Sequence, residues 1–377
     1  MKTPATDWTP FWTQRRIMTL VLAAGALVVA VGLGAAYGSV AMPLPTVAAM
    51  LGNKLLGLVQ TAAALAGERA AAFILKLQGL EVTPNWPGSW ETIFFQVRLP
   101  RVFLAAMVGA ALSLAGATYQ GLFHNPLADP YLIGVSSGAG LGATLAIYLG
   151  ARLSWAGLGA VPLFAFAGAL LATAVIYGLA QVGGRTPVTT LLLAGVAVAA
   201  LLSALTTAIW MAATTTFQHM TVISWLMGTL SLSNWAHVRA LAPYLLVGGV
   251  VITLGARALN LLQLDEEQAH LLGLNVERTK LVLVAATALL TAAAVAVSGV
   301  IGFVGLIVPH AVRLAWGPDH RFLLPMSALV GGSFMIAADG LARTIFAPSE
   351  LPVGVITAIC GVPFFLYLLR KKKQAVF

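Results

Sequence analysis

The stretch from Arg98 to Pro130 constrains this chain more than any other. It reads Arg98-Leu99-Pro100-Arg101, then about twenty apolar residues, then Gln120-Gly121-Leu122-Phe123-His124-Asn125-Pro126-Leu127-Ala128-Asp129-Pro130. A run of about 20 apolar residues is the length of a membrane-spanning helix. This one has two arginines at one mouth and a proline-marked break at the other. Polar and broken backbone at membrane depth is costly unless it lines a cavity or packs on protein. A chain of this kind is expected to move something across a bilayer.

Composition agrees. Of 377 residues, 59% are hydrophobic and only 9% charged, where a soluble domain carries roughly 25% charged residues. The chain is therefore expected to be all-α and polytopic. Ten spans are predicted, at about 17–37, 100–122, 130–149, 160–182, 187–210, 236–255, 280–297, 300–315, 323–342 and 352–369. Both termini are basic, so both are expected in the cytoplasm, and that topology puts 13 of the 21 Lys and Arg inside. The net charge of +9 is explained by these helix flanks, Arg370-Lys371-Lys372-Lys373 among them. Nucleic-acid binding is not indicated. The apolar run from Ile17 is long for a signal peptide and more spans follow it, so it reads as an uncleaved first helix. The lone Cys360 is expected to be buried and inert.

Helix starts carry marks of their own. Pro100, Pro130, Pro187 and Pro352 suit a first helical turn, with Asp129 and Thr186 as N-caps for two of them. Gly134, Gly138 and Gly142 form a stripe spaced by four that lets helices approach closely. The segment 38–97 is a long outer piece in which 54–79 reads as an amphipathic helix, with Lys54, Glu68, Arg69 and Lys76 among apolar residues. Residues 212–235 form either a short re-entrant helix lining a pathway or an interfacial anchor using Trp225 and Trp235.

Between spans six and seven, the segment 256–280 is a cytoplasmic loop whose centre, 264–278, is expected to bend. Asp265 can cap a short helix, Gly273 can end it in the left-handed conformation, and Asn275 can cap a second short piece. Leu271, Leu272 and Leu274 would then form an apolar knuckle, fit for docking to another protein; an ordinary interfacial loop is the plainer reading. The six histidines lack paired spacing and are read as structural, with no metal site expected. A phosphate-cradling GxxxxGK[ST] loop is absent. A transporter driven by an ion gradient is the rival reading; it would want charge in mid-span, and Asp339 is the only acid inside a span.

These features resemble a known family. Arg98-Leu99-Pro100-Arg101 and the motifs at 120–130, 134–139, 191–195, 298–310, 317–321 and 350–354 recur in the order found in the FecCD-like permease subunits of ABC importers for cobalamin, haem and ferric siderophores. The resemblance covers roughly 95–370. It implies a type II importer permease fold, a single transmembrane domain over 1–377, and a homodimer with its pathway on the two-fold axis. It implies partners as well: two ATPase subunits on the cytoplasmic face, which bind the ATP and Mg while this chain holds no cofactor and catalyses nothing, and a periplasmic or lipid-anchored substrate-binding protein outside. The membrane would be the cytoplasmic (inner) membrane of a bacterium or archaeon. By the same resemblance Arg98, Arg101 and Arg343 would dock the binding protein. Asp265, Leu271, Leu272, Gly273, Leu274 and Asn275 would couple to the ATPase. Val188 and Thr189 would stand at the cytoplasmic gate, although they depart from the more hydroxylic family pattern there.

Overall fold

The computed structural model describes residues 13–38, 42–64, 82–264 and 266–373. Helix α1 (Gln14–Ala36) begins where Thr13 Oγ1 accepts from the Arg16 N–H. Helix α2 (Leu44–Ala64) follows. Then come α3 (Gly88–Leu122), with a π-helical stretch at Ile93–Arg98, and α4 (Val135–Tyr148). A two-stranded hairpin, β1 (Ser154–Trp155) and β2 (Leu158–Gly159), pairs Ser154 with Gly159. Helices α5 (Ala160–Leu179), α6 (Val188–Ala212), α7 (Thr216–Leu226) and α8 (Trp235–Leu254) lead to two short helices, α9 (Ala256–Leu262) and α10 (Glu266–Leu271). The chain closes with α11 (Val276–Ser298), α12 (Val304–Trp316), α13 (His320–Thr344) and α14 (Val353–Lys373).

Seven helices among the described residues are long and apolar enough to cross a membrane: α1, α3, α5, α6, α8, α11 and α13. Shorter apolar helices at Val135–Tyr148, Val304–Trp316 and Val353–Tyr367 fall on the other three predicted spans. The fold is therefore all-α with helices at the ten predicted places.

Two of the short ones begin later than predicted. Helix α4 has 14 residues and α12 has 13, about 20 Å each at 1.5 Å per residue, against a hydrocarbon core of about 30 Å. Pro130 opens no helix and Asp129 caps none: Asp129 Oδ1 accepts from the Tyr131 N–H in a turn, and α4 starts only after Gly134, which has φ +78°. The second break runs from Gly299 to Phe303, both at φ +70°. The two breaks satisfy each other. The Tyr131 hydroxyl donates to Ile301 O (2.9 Å) and accepts from Ile301 N (3.2 Å), and Gln120 Nε2 donates to Leu306 O (3.1 Å). Arg313 in turn donates to Gln120 Oε1 at 2.9 Å. Unpaired backbone at such depth would cost several kcal/mol per group; here it is packed on protein.

Helix α3 lies at the centre, against α1, α8, α11, α12 and α13. The approach is close enough that a Cβ on Gly116 would overlap Gly305 O, and one on Gly109 would overlap Gly331 O. Gly116→Ala is therefore expected to force α3 and α12 apart at a cost of about 1–3 kcal/mol, read as a lower melting temperature in detergent; an unchanged midpoint would show that the contact yields freely. The stripe at Gly134, Gly138 and Gly142 does the same work between α4 and α5. Gly138 packs against Gly168 and Gly142 against the backbone of Phe164.

Other expectations are corrected. Helix α6 starts at Val188 with Pro187 in the capping position, and Thr186 reaches the Tyr177 hydroxyl (3.4 Å) instead of capping. Cys360 is exposed on a flank of α14 that no described residue covers. Helix α2 starts ten residues before the expected 54, because Pro43 and Pro45 suit a first turn and Pro43 O accepts from Val47 N. Of the polar residues expected on that helix, Lys54 sits over the Phe95 ring at 5.7 Å, while Glu68, Arg69 and Lys76 lie outside the described residues. The segment 212–235 contains a short helix, α7, whose end packs on the second break: a Cβ on Gly299 would overlap Trp225 O, and just past the helix Thr229 N donates to Ser298 O (2.8 Å). Trp235 Nε1 donates to Phe95 O (2.8 Å), tying the start of α8 to α3.

Candidate functional site

Three places hold the residues singled out by sequence. At the arginine mouth, α1, α3 and α13 meet around Asp339, which is 1% exposed. Arg101 grips it with Nε at 3.0 Å and Nη2 at 2.8 Å, and turns Nη1 to Glu350 at 2.9 Å. Arg343 adds a second ion pair to Asp339 at 3.1 Å. Arg343 also donates to Gly34 O and Tyr37 O, and Arg98 donates to Ala36 O at 2.9 Å. These carbonyls end α1, where a cation is favoured by both the free acceptors and the helix dipole.

All three arginines are therefore buried, at 5–7% exposure, with bonds inside the chain. The sequence places them at one mouth as contacts for a binding protein; what it does not disclose is that each is already bonded within the chain. A guanidinium in apolar surroundings must be paired, and Asp339 supplies the pair. Asp339 is then a structural counter-ion, not a lone mid-span acid of the kind an ion-gradient transporter would use. Of this cluster Glu350 is the one exposed member.

Beside the second break lies an apolar cavity of about 710 Å³, lined by Met227, Val300, Phe303, Val355, Ile359 and Val362 among others. Phe303 holds its left-handed backbone with its ring against Gly361, where no larger residue would fit. The cavity brings the end of α7, the break and α14 together.

The third place is built around α9, α10 and the start of α11. Helix α9 is joined to the start of α13: Asn260 Nδ2 donates to Asp319 Oδ1 (2.7 Å) and Asn260 Oδ1 accepts from His320 N (2.9 Å). Asp319 also caps α13 and takes a two-pronged bond from Arg321. Burial pushes the Asp319 carboxyl up, but the hydrogen bonds from Arg321 and Asn260 prevail and hold it at about 2.

Helix α10 ends as the sequence implies. Gly273 has φ +87°, its N–H donates to His270 O, and Leu274 N donates to Ala269 O, which is a Schellman cap. Asn275 Oδ1 accepts from Arg278 N at 3.0 Å. What it caps is α11 itself, a membrane-length helix, and not a second short piece. Leu271 and Leu272 are 80% and 62% exposed. Leu274 is instead half-buried against the core, because the cap folds it back toward α10. Asp265 lies outside the described residues.

Sequence reading missed the charges beneath this bend. Lys280 of α11 is 7% exposed. Its ammonium meets Glu266 of α10 at 2.7 Å and Glu277 at 3.4 Å, and Glu277 Oε2 accepts from Thr186 N at 3.1 Å. The only sequence signal was a lysine set inside an apolar helical pattern. A cleft of about 860 Å³ opens alongside, lined by Arg185, Glu266, Glu267, His270 and Glu277 among others. Val188 and Thr189 form the first turn of α6, Val188 half-buried and Thr189 exposed.

Comparison with known proteins follows the same lines. Residues 26–371 match the model of the FecCD transport family. The cobalamin import system permease protein BtuC of Halobacterium salinarum is 50% identical over 287 residues, which is 76% of this chain and 76% of that one. The hemin transport system permease protein HmuU of Yersinia pestis is 42% identical over 327 residues, 86% of this chain and 96% of that one. Among solved structures, a metal-chelate type ABC transporter in an inward-facing conformation superposes with a TM-score of 0.74 at 29% identity, covering 94% of this chain and 99% of that one.

Proposed function

Because the chain belongs to the FecCD transport family, we propose that it is the permease subunit of an ABC importer for a bulky metal chelate: a ferric siderophore, haem or cobalamin. The observation that carries this reading is the cytoplasmic bend, where a Schellman-capped α10 holds Leu271 and Leu272 out in solvent. Two bare leucines on a rigid, charged knuckle suit a groove on another protein. The ATPase subunits take that place in this proposal, bind ATP and Mg, and drive alternating access so that cargo moves inward. The whole of 1–377 acts as one transmembrane domain, in the cytoplasmic membrane, with both termini on the cytoplasmic side.

A second copy completes the pathway, with the start of α6 at Val188 and Thr189 as its inner gate and the cavity beside Phe303 on its wall. A binding protein docks over the outer ends of α3 and α13. There Arg98, Arg101 and Arg343 act from beneath the surface, and a partner carboxylate can take the place of Glu350 on Arg101. The variety of substrates named among relatives is compatible with apolar walls, which discriminate weakly by chemistry.

Reconstitution tests the proposal. Proteoliposomes holding this chain, its ATPase and its binding protein are expected to accumulate one of the three chelates only when ATP is supplied on the cytoplasmic side. The isolated polypeptide is expected to hydrolyse no ATP. Uptake driven by an ion gradient without the ATPase would overturn the reading.

A further inference from the structure

Lys280 stands where three elements meet. Its ammonium is buried and carries three N–H donors. One acidic partner, Glu266, belongs to α10, and the other, Glu277, to the first turn of α11. The second oxygen of Glu277 accepts the N–H of Thr186, two residues before α6. Thr186 is itself buried and its hydroxyl meets Tyr177 of α5. Lys280 also shares a narrow crevice with Val188 and Leu191 on the first turn of α6.

We infer that Lys280 is the positioning residue that joins the cytoplasmic helix α10 to the start of α6, so that displacement of one displaces the other. The inference rests on the reading of α10 as the ATPase contact. The physical reason is asymmetry. Glu266 is half-exposed, at 46% for its side chain, and would tolerate separation because water could replace the lysine. Lys280 has no such recourse, since a buried ammonium left with a single partner at 3.4 Å keeps most of its desolvation cost. Separation of α10 from α11 is therefore opposed from the buried side. The pull passes through Glu277 to a backbone N–H that lies ahead of the helix it starts. Rigid elements joined by an ion pair of this kind can move as one.

The test uses the complex with its ATPase and binding protein in proteoliposomes. Thr189→Cys in a Cys360→Ala background places this chain's sole thiol at the first turn of α6, and its labelling rate from the cytoplasmic side, read on this chain's own band, reports that turn. With Lys280 intact, a non-hydrolysable ATP analogue is expected to change the labelling rate about fivefold or more, the scale of ordinary site-to-site coupling. Lys280→Met should reduce that change to less than about twofold and lower uptake per ATP hydrolysed, while the ATPase still co-purifies. Lys280→Arg should restore both. Glu266→Gln should act in the same direction, and adding it to Lys280→Met should have no further effect, since both break one contact. A full nucleotide response in Lys280→Met, with the ATPase released by Leu271→Asp, would overturn this inference alone. Retention of the ATPase by Leu271→Asp would overturn the reading beneath it. Should Lys280→Met fail to fold, Glu266→Gln decides: an unchanged response there rejects the inference.

Discussion

Replacing Asp339 with alanine is expected to cost about 3–5 kcal/mol, the scale of breaking a buried ion pair by removing one partner. The loss is large because the one carboxylate serves two buried guanidiniums, Arg101 and Arg343, and both would stay in place without it. Arg101→Lys should fall well short of the native protein too, since an ammonium cannot span Asp339 and Glu350 as the guanidinium fork does. Thermal unfolding of the purified protein in detergent checks both. An Asp339→Ala protein that melts with the native one would mean that the cluster is wetter and weaker than its burial implies.

Leu271→Asp is expected to abolish uptake, because it places a charge at the centre of the proposed ATPase contact, where no partner is provided for it. The chain should still insert and fold, since Leu271 is 80% exposed and supports nothing within the molecule. Gly273→Val tests the shape of the same knuckle by another route. Among the described residues no atom beyond its chain neighbours lies within 4 Å of where its Cβ would sit, so the cost is conformational, on the order of 1–2 kcal/mol for holding a branched residue in the left-handed region. Co-purification of the ATPase and uptake in proteoliposomes are the measurements. Native values for both variants would reduce the loop to a connector.

How far the sequence discloses this molecule depends on distance along the chain. The spans are visible because an apolar run of membrane length has few other uses. The bend at Gly273 and the cap at Asn275 are visible because each works within five residues of itself. Gly134, Gly138 and Gly142 betray their packing by spacing alone. By contrast, nothing local announces that Arg101 meets Asp339, 238 positions on, so the three arginines look like surface charges until the fold buries them. The links from Lys280 to Glu266 and from Thr186 to Glu277 are hidden for the same reason. The late starts of α4 and α12 fall between these cases. Gly134 and Gly299 both take positive φ at the breaks, but sequence shows Gly134 only as part of a packing stripe, and a left-handed phenylalanine at 303 is not a residue any propensity would place there.

Helix α3 bears on how such a machine can move. Most of its membrane-length window is enclosed, its glycines lock against α12 and α13 backbone, and its outer end is bolted to α1 and α13 by the charge cluster. It has the properties of a stator. The windows of α6 and α8 are by comparison nearly bare within the chain, at 11% and 17% buried. In the proposed importer, then, the helices least held by the rest of the chain are those at the rim, and a stroke that spares the axis would fall to them. At Gly109 and Gly116 the hub has no room for a methyl group without moving a neighbour's backbone, while the rim can trade one apolar side chain for another.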